Sequence, residues 1–161
     1  MLTYIFRSSV VWTAVGLAGG LGYRELTRQQ EFTGSTQLAL VHTHALVWGT
    51  VFMLGLLALT VVLPGLTRDG RMRWGLHLFN AGLAITVGML GFKGSLQVLG
   101  ASWSDSPALA GISGTGHILL TVALVLLLLA VGRQVKELQA AAGTAEAAAG
   151  DDEHQELVTT R

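Results

Sequence analysis

Five histidines punctuate a chain that has few other ionisable side chains. Four of them, His42, His44, His77 and His117, fall inside long apolar runs, where an ionisable group is expensive and marks a functional position by default. A neutral imidazole keeps one nitrogen lone pair open, which makes histidine a common ligand of metal ions and haem iron. A single intramembrane histidine can equally be a hydrogen bond between helices. Four across three runs, with no Asp or Glu in those runs to pair them, point instead to a cofactor. His154 lies in a hydrophilic C-terminal stretch and carries no such weight. The chain has no cysteine, which removes disulfides, thiolate metal sites, iron–sulfur clusters and the C-x-x-C-H attachment of c-type haem. What remains is a b-type haem between two histidines, or copper or zinc held by imidazoles alone. No nucleophile–base pair, phosphate-binding glycine loop or carboxylate pair stands in or near the runs, which disfavours a hydrolase or kinase and leaves enzymatic activity without a candidate.

These histidines need elements to position them, and composition says which. Of 161 residues, 51% are hydrophobic and 12% charged, against about 25% charged in a soluble domain. The mean hydropathy is +0.56. Ten basic and ten acidic side chains cannot cover a water-facing surface of this size, and a net charge of zero gives no case for nucleic acid. The expected fold is all-α: an integral membrane four-helix bundle in contact with the lipid bilayer. Its spans are expected at about 8–22, 38–63, 74–99 and 109–131, within a domain of residues 1–139. The first run is short and reaches full length only if Leu2 to Phe6 extend it past Arg7; without an A-x-A site after it, it reads as a retained helix and not a cleaved signal. Residues 140–161, alanine-rich and then acidic, are expected to be a disordered cytoplasmic tail. With the N-terminus inside, six basic residues (Arg7, Arg68, Arg71, Arg73, Arg133, Lys136) lie inside and three (Arg24, Arg28, Lys93) outside. That bias puts both termini in the cytoplasm.

Depth sorts the histidines. His42 and His44 lie about four to six residues from the outer end of the second helix, and His117 about eight from that of the fourth, at 1.5 Å per residue. His77 enters from the opposite face and is expected to lie apart. Positions two apart on a helix differ by about 200°, so only one of His42 and His44 can face a partner on the fourth helix. The His42 face continues through Ala45 and Gly49 to Phe52 and Met53. The His44 face continues through Val47, Trp48 and Val51 to Gly55. Beside His117 stand Ser113, Gly114 and Thr121, small enough to admit a flat ligand or another helix, with Leu120 the one bulky neighbour. On the third helix Thr86, Lys93 and Gln97 share one face. Arg24 and Lys93, at the outer edge, would suit the two propionates of a haem standing along the membrane normal.

The ordered set Tyr23-Arg24-Glu25, Phe32-Thr33-Gly34, Leu40-Val41-His42-Thr43-His44, Gln97-Val98-Leu99-Gly100, Gly111-Ile112-Ser113-Gly114 and Gly116-His117-Ile118 resembles a family of small bacterial membrane proteins known only as a domain of unknown function. The likeness spans about residues 7–133 and implies a multi-pass protein of the bacterial cytoplasmic membrane. In that pattern the position of His77 is usually apolar. A second, local likeness concerns Val41 to Trp48, which is similar to the haem-ligating helix of the haem-copper oxidases. It implies His42 as the aligned ligand, where geometry alone leaves His42 and His44 open.

Three functions follow as expectations. The first is a bis-histidine b-type haem, ligated by His117 and by His42 or His44, for electron transfer or haem sensing. Gly49 and Gly114 would leave room for it, and Arg24 and Lys93 would face its acidic edge. The second is copper or zinc bound or delivered by His42, His44 and His117 together. The third is a cofactor-free accessory subunit whose histidines are helix contacts. A respiratory-chain protein is the expected partner, and Gly16, Gly19 and Gly20 offer a face for a homo-oligomer as well as for the internal bundle.

Overall fold

The computed structural model describes residues 1–159, with the side chains of residues 1–144. Among these residues there is no strand, and four helices are long and apolar enough to cross a membrane. They are α1 (Leu2–Gln29), α2 (Gln37–Val62), α3 (Gly70–Val98) and α4 (Pro107–Thr159). The protein is an all-helical, multi-pass membrane bundle. The expected tail, residues 140–161, falls mostly outside the residues whose side chains are described.

Local chemistry ends each helix. After α1, Glu31 takes a left-handed φ of 49°, and the Phe32 amide donates back to the Thr27 carbonyl. After α3, Gly100 plays the same part at φ 70°, with the Ala101 amide bonded to the Leu96 carbonyl. Both are wraps in which an orphan helix carbonyl is satisfied by the turn that follows it. Pro64, lacking an N–H, stops α2 and opens a short 3-10 turn. Asp69 then caps α3, its carboxylate accepting from the Arg71 amide at 2.8 Å.

α2 is not uniform. It begins as a 3-10 turn (Gln37–Ala39), becomes α-helical (Leu40–His44), widens into a π-helical stretch (Ala45–Val51) and returns to α-helix (Phe52–Val62). Such widened turns are rare and recur at functional sites. This one starts directly after His44.

Glycines set the spacing between neighbours, as expected where lipid offers no hydrophobic drive for helix association. Gly16 and Gly19 of α1 lie under Leu46 and Val41 of α2, and Gly49 of α2 lies under Trp12 of α1. Gly82 of α3 crosses α4 at Gly116 and Leu120, backbone against backbone. Gly94 of α3 lies against the backbone of Leu38, where Thr36 and Gln37 tie α2 to α3: the Thr36 hydroxyl donates to the Gly94 carbonyl (2.7 Å), and the Gln37 amide to the Gln97 side-chain oxygen (2.8 Å). The contacts run antiparallel for α1–α2, α2–α3 and α3–α4. Hence the α1–α2 and α3–α4 connections share one face of the bundle, here the distal face. Met1 and the α2–α3 connection share the other, the proximal face.

α3 is the central helix. It packs on α1, α2 and α4, and its Met72, Leu76, Phe79 and Leu83 are almost fully buried. α4 rests chiefly on α3, turning Ile112, Ile118, Val122, Val125, Leu128 and Leu129 outward. The bundle is therefore not evenly closed. A groove runs between α2 and α4, with α3 as its floor.

Candidate functional site

That groove has two lobes. The deeper, of about 230 Å³, is lined by His44 and Trp48 of α2, Phe79 and Thr86 of α3, and His117, Leu120, Thr121 and Leu124 of α4. The distal lobe, of about 280 Å³, is lined by Gln37, Thr86, Leu90, Lys93, Ala110, Ser113 and His117. Thr86 and His117 belong to both, so the lobes form one cleft. Aromatic and aliphatic groups wall its deep end, with Phe52 stacked on Phe79 (ring centroids 4.6 Å apart) and leaning on Trp48 (5.8 Å).

His44 and His117 are held in the same way. The Nδ1 of His44 lies 2.9 Å from the Leu40 carbonyl oxygen, and the Nδ1 of His117 lies 3.0 Å from that of Ser113. A carbonyl can only accept, so each Nδ1 carries the proton, and in the neutral ring each Nε2 keeps its lone pair. Bonding one ring nitrogen to the backbone fixes both the tautomer and the ring orientation, a usual support for a ligating histidine. Two imidazoles, one on each wall, thus line a single cleft with the nitrogen that can bind a metal left without a partner among the described residues.

The other outer histidine goes elsewhere. His42 packs on Gly20 of α1, its Cβ and Cγ being 3.6 and 3.8 Å from where a Cβ on that glycine would stand. Its Nε2 pairs with the Thr43 hydroxyl at 3.3 Å, and its Nδ1 is buried without a partner. The three histidines expected as one metal site are therefore split: His44 faces His117 of α4 across the groove, while His42 stands on the other face of α2, about 200° away as helix geometry requires. Among the described residues no group of three or more His, Cys, Asp or Glu gathers as a metal site.

Several other expected site residues change place. Gly49 lies under Trp12 and not in the groove, because the face running from His42 through Ala45 and Gly49 to Met53 is the one buried against α1. Phe52, expected on that face, stands on the His44 side with Trp48 and Phe79, beyond the π-helical stretch. Gly114 faces open space, whereas its neighbour Gly116 makes the close crossing with Gly82 and Thr86. Lys93 does line the distal lobe, with an ion pair to Asp105 at 3.3 Å. Arg24 is exposed at the end of α1 and lines neither lobe, since its helix packs on the far side of α2 and α3. His77 lies apart, as its depth implied. It meets the Tyr4 hydroxyl at 3.2 Å and lines a separate cavity of about 320 Å³ with Met1, Thr67 and Arg73 at the proximal face.

Sequence reasoning placed Trp48 on the His44 face, where it lines the groove, but missed Phe79 and Gln37 as groove residues. For Thr86 a signal was present, since it shares a helical face with Lys93. Phe79 carried none, being one apolar residue among many.

A comparison with curated proteins and one with solved structures each give no match. The likeness of the His42 segment to haem-copper oxidases finds no support there, and the packing of His42 on α1 takes that residue out of the groove. One family profile, "Protein of unknown function (DUF2871)", matches residues 2–134, which includes the groove and every residue that lines it. The chain belongs to that family.

Proposed function

We propose that this protein binds a b-type haem in the α2–α4 groove, where His44 and His117 would hold it, for electron transfer or haem sensing. One observation carries the reading: two histidines on opposite walls of one apolar cleft, each with Nδ1 tied to its own helix and Nε2 free. The residues fit the group. Phe79, Leu120 and Leu124 offer an apolar surface for a macrocycle, and Lys93 offers a cation to its carboxylates in the distal lobe. A haem held there supplies one-electron chemistry. The chain's own part is to fix the two imidazoles, exclude water with Trp48, Phe52 and Phe79, and hold the acidic edge toward the distal face. A copper or zinc site is less well supported, because His42 turns away and leaves two imidazoles where three were expected.

The setting proposed with it is the bacterial cytoplasmic membrane, with both termini in the cytoplasm and a respiratory-chain protein as partner. The basic bias of the connections supports that orientation. The test is the absorption spectrum of the protein purified in mild detergent. A Soret band, with sharp α and β bands after reduction and about one haem per chain, is expected. A protein that is colourless and takes up no added haemin refutes the reading.

A further inference from the structure

We infer that the cavity at the proximal face binds a phosphate oxyanion at the membrane surface, with the Arg73 guanidinium as its charged partner and the Tyr4–His77 pair as its hydrogen-bond donor. This cavity shares no lining residue with either lobe of the groove, so it stands or falls apart from the haem reading. Charge comes first. Among the residues around this space of about 320 Å³, Arg73 is a permanent cation and none is acidic. Arg73 makes no ion pair with a described residue. Asp69, one turn earlier on α3, is taken up by the Arg71 amide at 2.8 Å and by Arg133 at 4.0 Å. Trp74, next to Arg73 and 66% exposed, puts an amphipathic ring where lipid headgroups meet hydrocarbon.

The hydrogen bonds supply the donor. The Trp12 indole N–H, which can only donate, bonds the Asn80 side-chain oxygen at 2.8 Å. That fixes the amide, so the Asn80 nitrogen donates to the Tyr4 hydroxyl oxygen at 3.3 Å. Tyr4 and His77 share one further bond, from the hydroxyl to Nδ1, at 3.2 Å. A hydroxyl and a neutral imidazole carry one such proton each, and this bond uses one of the two. Either the tyrosine donates and His77 keeps an Nε2–H, or the histidine donates and Tyr4 keeps its O–H. Both arrangements leave the pair one donor without a partner among the described residues, and both side chains are exposed and line the cavity. Thr67 does not compete, because its hydroxyl donates to the Pro64 carbonyl at 2.7 Å. A phosphate group matches this set: two of its oxygens suit the guanidinium fork, and a third accepts from the Tyr4–His77 pair. Headgroups bring such groups to the level of Trp74, and free phosphate offers the same oxygens.

The test titrates the full chain in a non-ionic detergent, by calorimetry, with dihexanoyl phosphatidylglycerol and separately with inorganic phosphate. Saturable binding is expected, about tenfold weaker in Arg73→Gln, the worth of one hydrogen bond to a charged group. Arg71→Gln removes the same charge from the same turn, away from the cavity lining, and should bind as the wild type. Equal weakening by the two variants reduces the effect to surface charge and overturns the site. The proton count gives a second readout. Tyr4→Phe and His77→Phe each leave one donor, so each should weaken binding by about twofold or less, whereas the double variant should weaken it about tenfold. A double variant that folds by circular dichroism and binds as the wild type overturns the donor assignment. Should the double variant not fold, the comparison of Arg73→Gln with Arg71→Gln still decides. Binding of the lipid with this dependence on Arg73 assigns a headgroup, and binding of inorganic phosphate alone assigns a free anion. Saturable binding of neither overturns the inference and leaves the groove reading untouched.

Discussion

Adding one methyl group at Gly82 should unsettle both the bundle and the groove, whereas adding one at Gly88, two turns along the same helix, should not. A Cβ on Gly82 would stand 2.9 Å from the Gly116 carbonyl oxygen, 2.9 Å from the Leu120 nitrogen and 3.0 Å from the Leu119 Cβ. These are backbone or near-backbone atoms, so no rotamer change relieves them. α4 has to retreat by about 0.5 Å to restore ordinary van der Waals separation. Overpacking of this kind costs about 1–3 kcal/mol. A Cβ on Gly88 meets nothing within 4 Å. Both substitutions to alanine gain the same helix propensity, up to about 1 kcal/mol, so the difference between the two variants isolates the clash. Chemical unfolding in mixed micelles, followed by circular dichroism, should place Gly82→Ala below Gly88→Ala by about 1–3 kcal/mol. Because His117 follows Gly116 directly, Gly82→Ala should also lower haem occupancy in the purified protein while Gly88→Ala leaves it unchanged. A Gly82→Ala protein as stable as Gly88→Ala would show that α3 and α4 do not cross at this point, and the groove built on that crossing would fall with it.

The histidines give a second set of outcomes. His44→Ala and His117→Ala should each abolish the reduced haem spectrum, and His42→Ala should keep it; the reverse result for His42 and His44 would mean that α2 is rotated from its place here. His77→Ala should leave the spectrum intact, read by absorbance on purified protein. Tyr4→Phe removes the hydroxyl that meets His77 and Asn80 at 3.2 and 3.3 Å, and should cost about 1 kcal/mol of unfolding free energy without touching the spectrum. Reporter fusions after Lys136 should signal a cytoplasmic location, and a periplasmic signal alone would refute the proposed orientation.

The spans were legible because their signal is one of length and polarity, which needs no knowledge of neighbours. Even so, α1 starts at Leu2, since one Arg7 on an exposed position does not interrupt a helix that is anchored by buried Ile5 and Trp12. The depth of His77 was legible for the same reason. Which of His42 and His44 faces α4 was not. Helix periodicity states that the two diverge by about 200°, but it gives no origin for the angle. That origin is set by Gly16, Gly19 and Gly20, which receive the His42 face of α2. The π-helical stretch adds a local change of phase after His44, and no residue pattern in Ala45–Val51 announces it.

Small residues near a histidine were read as room for a flat ligand; Ser113 and Thr121 do line the groove, but the glycines misled. Gly49 lies in a helix crossing and Gly114 faces open space, and neither lines the groove. The physical reason is that close approach between membrane helices is gained through packing, so glycines are consumed where backbones meet. α1 and α2 meet through Gly16, Gly19 and Gly49, and α3 and α4 through Gly82 and Gly116. Among the described residues no glycine of α2 or α4 serves a contact between those two helices. Bulky groups stand there instead: Trp48 on one wall, Leu120 and Leu124 on the other, with Phe79 beneath. The groove is the gap left between two glycine-tightened pairs, α1–α2 and α3–α4, which is why no small-residue pattern in the sequence marks it.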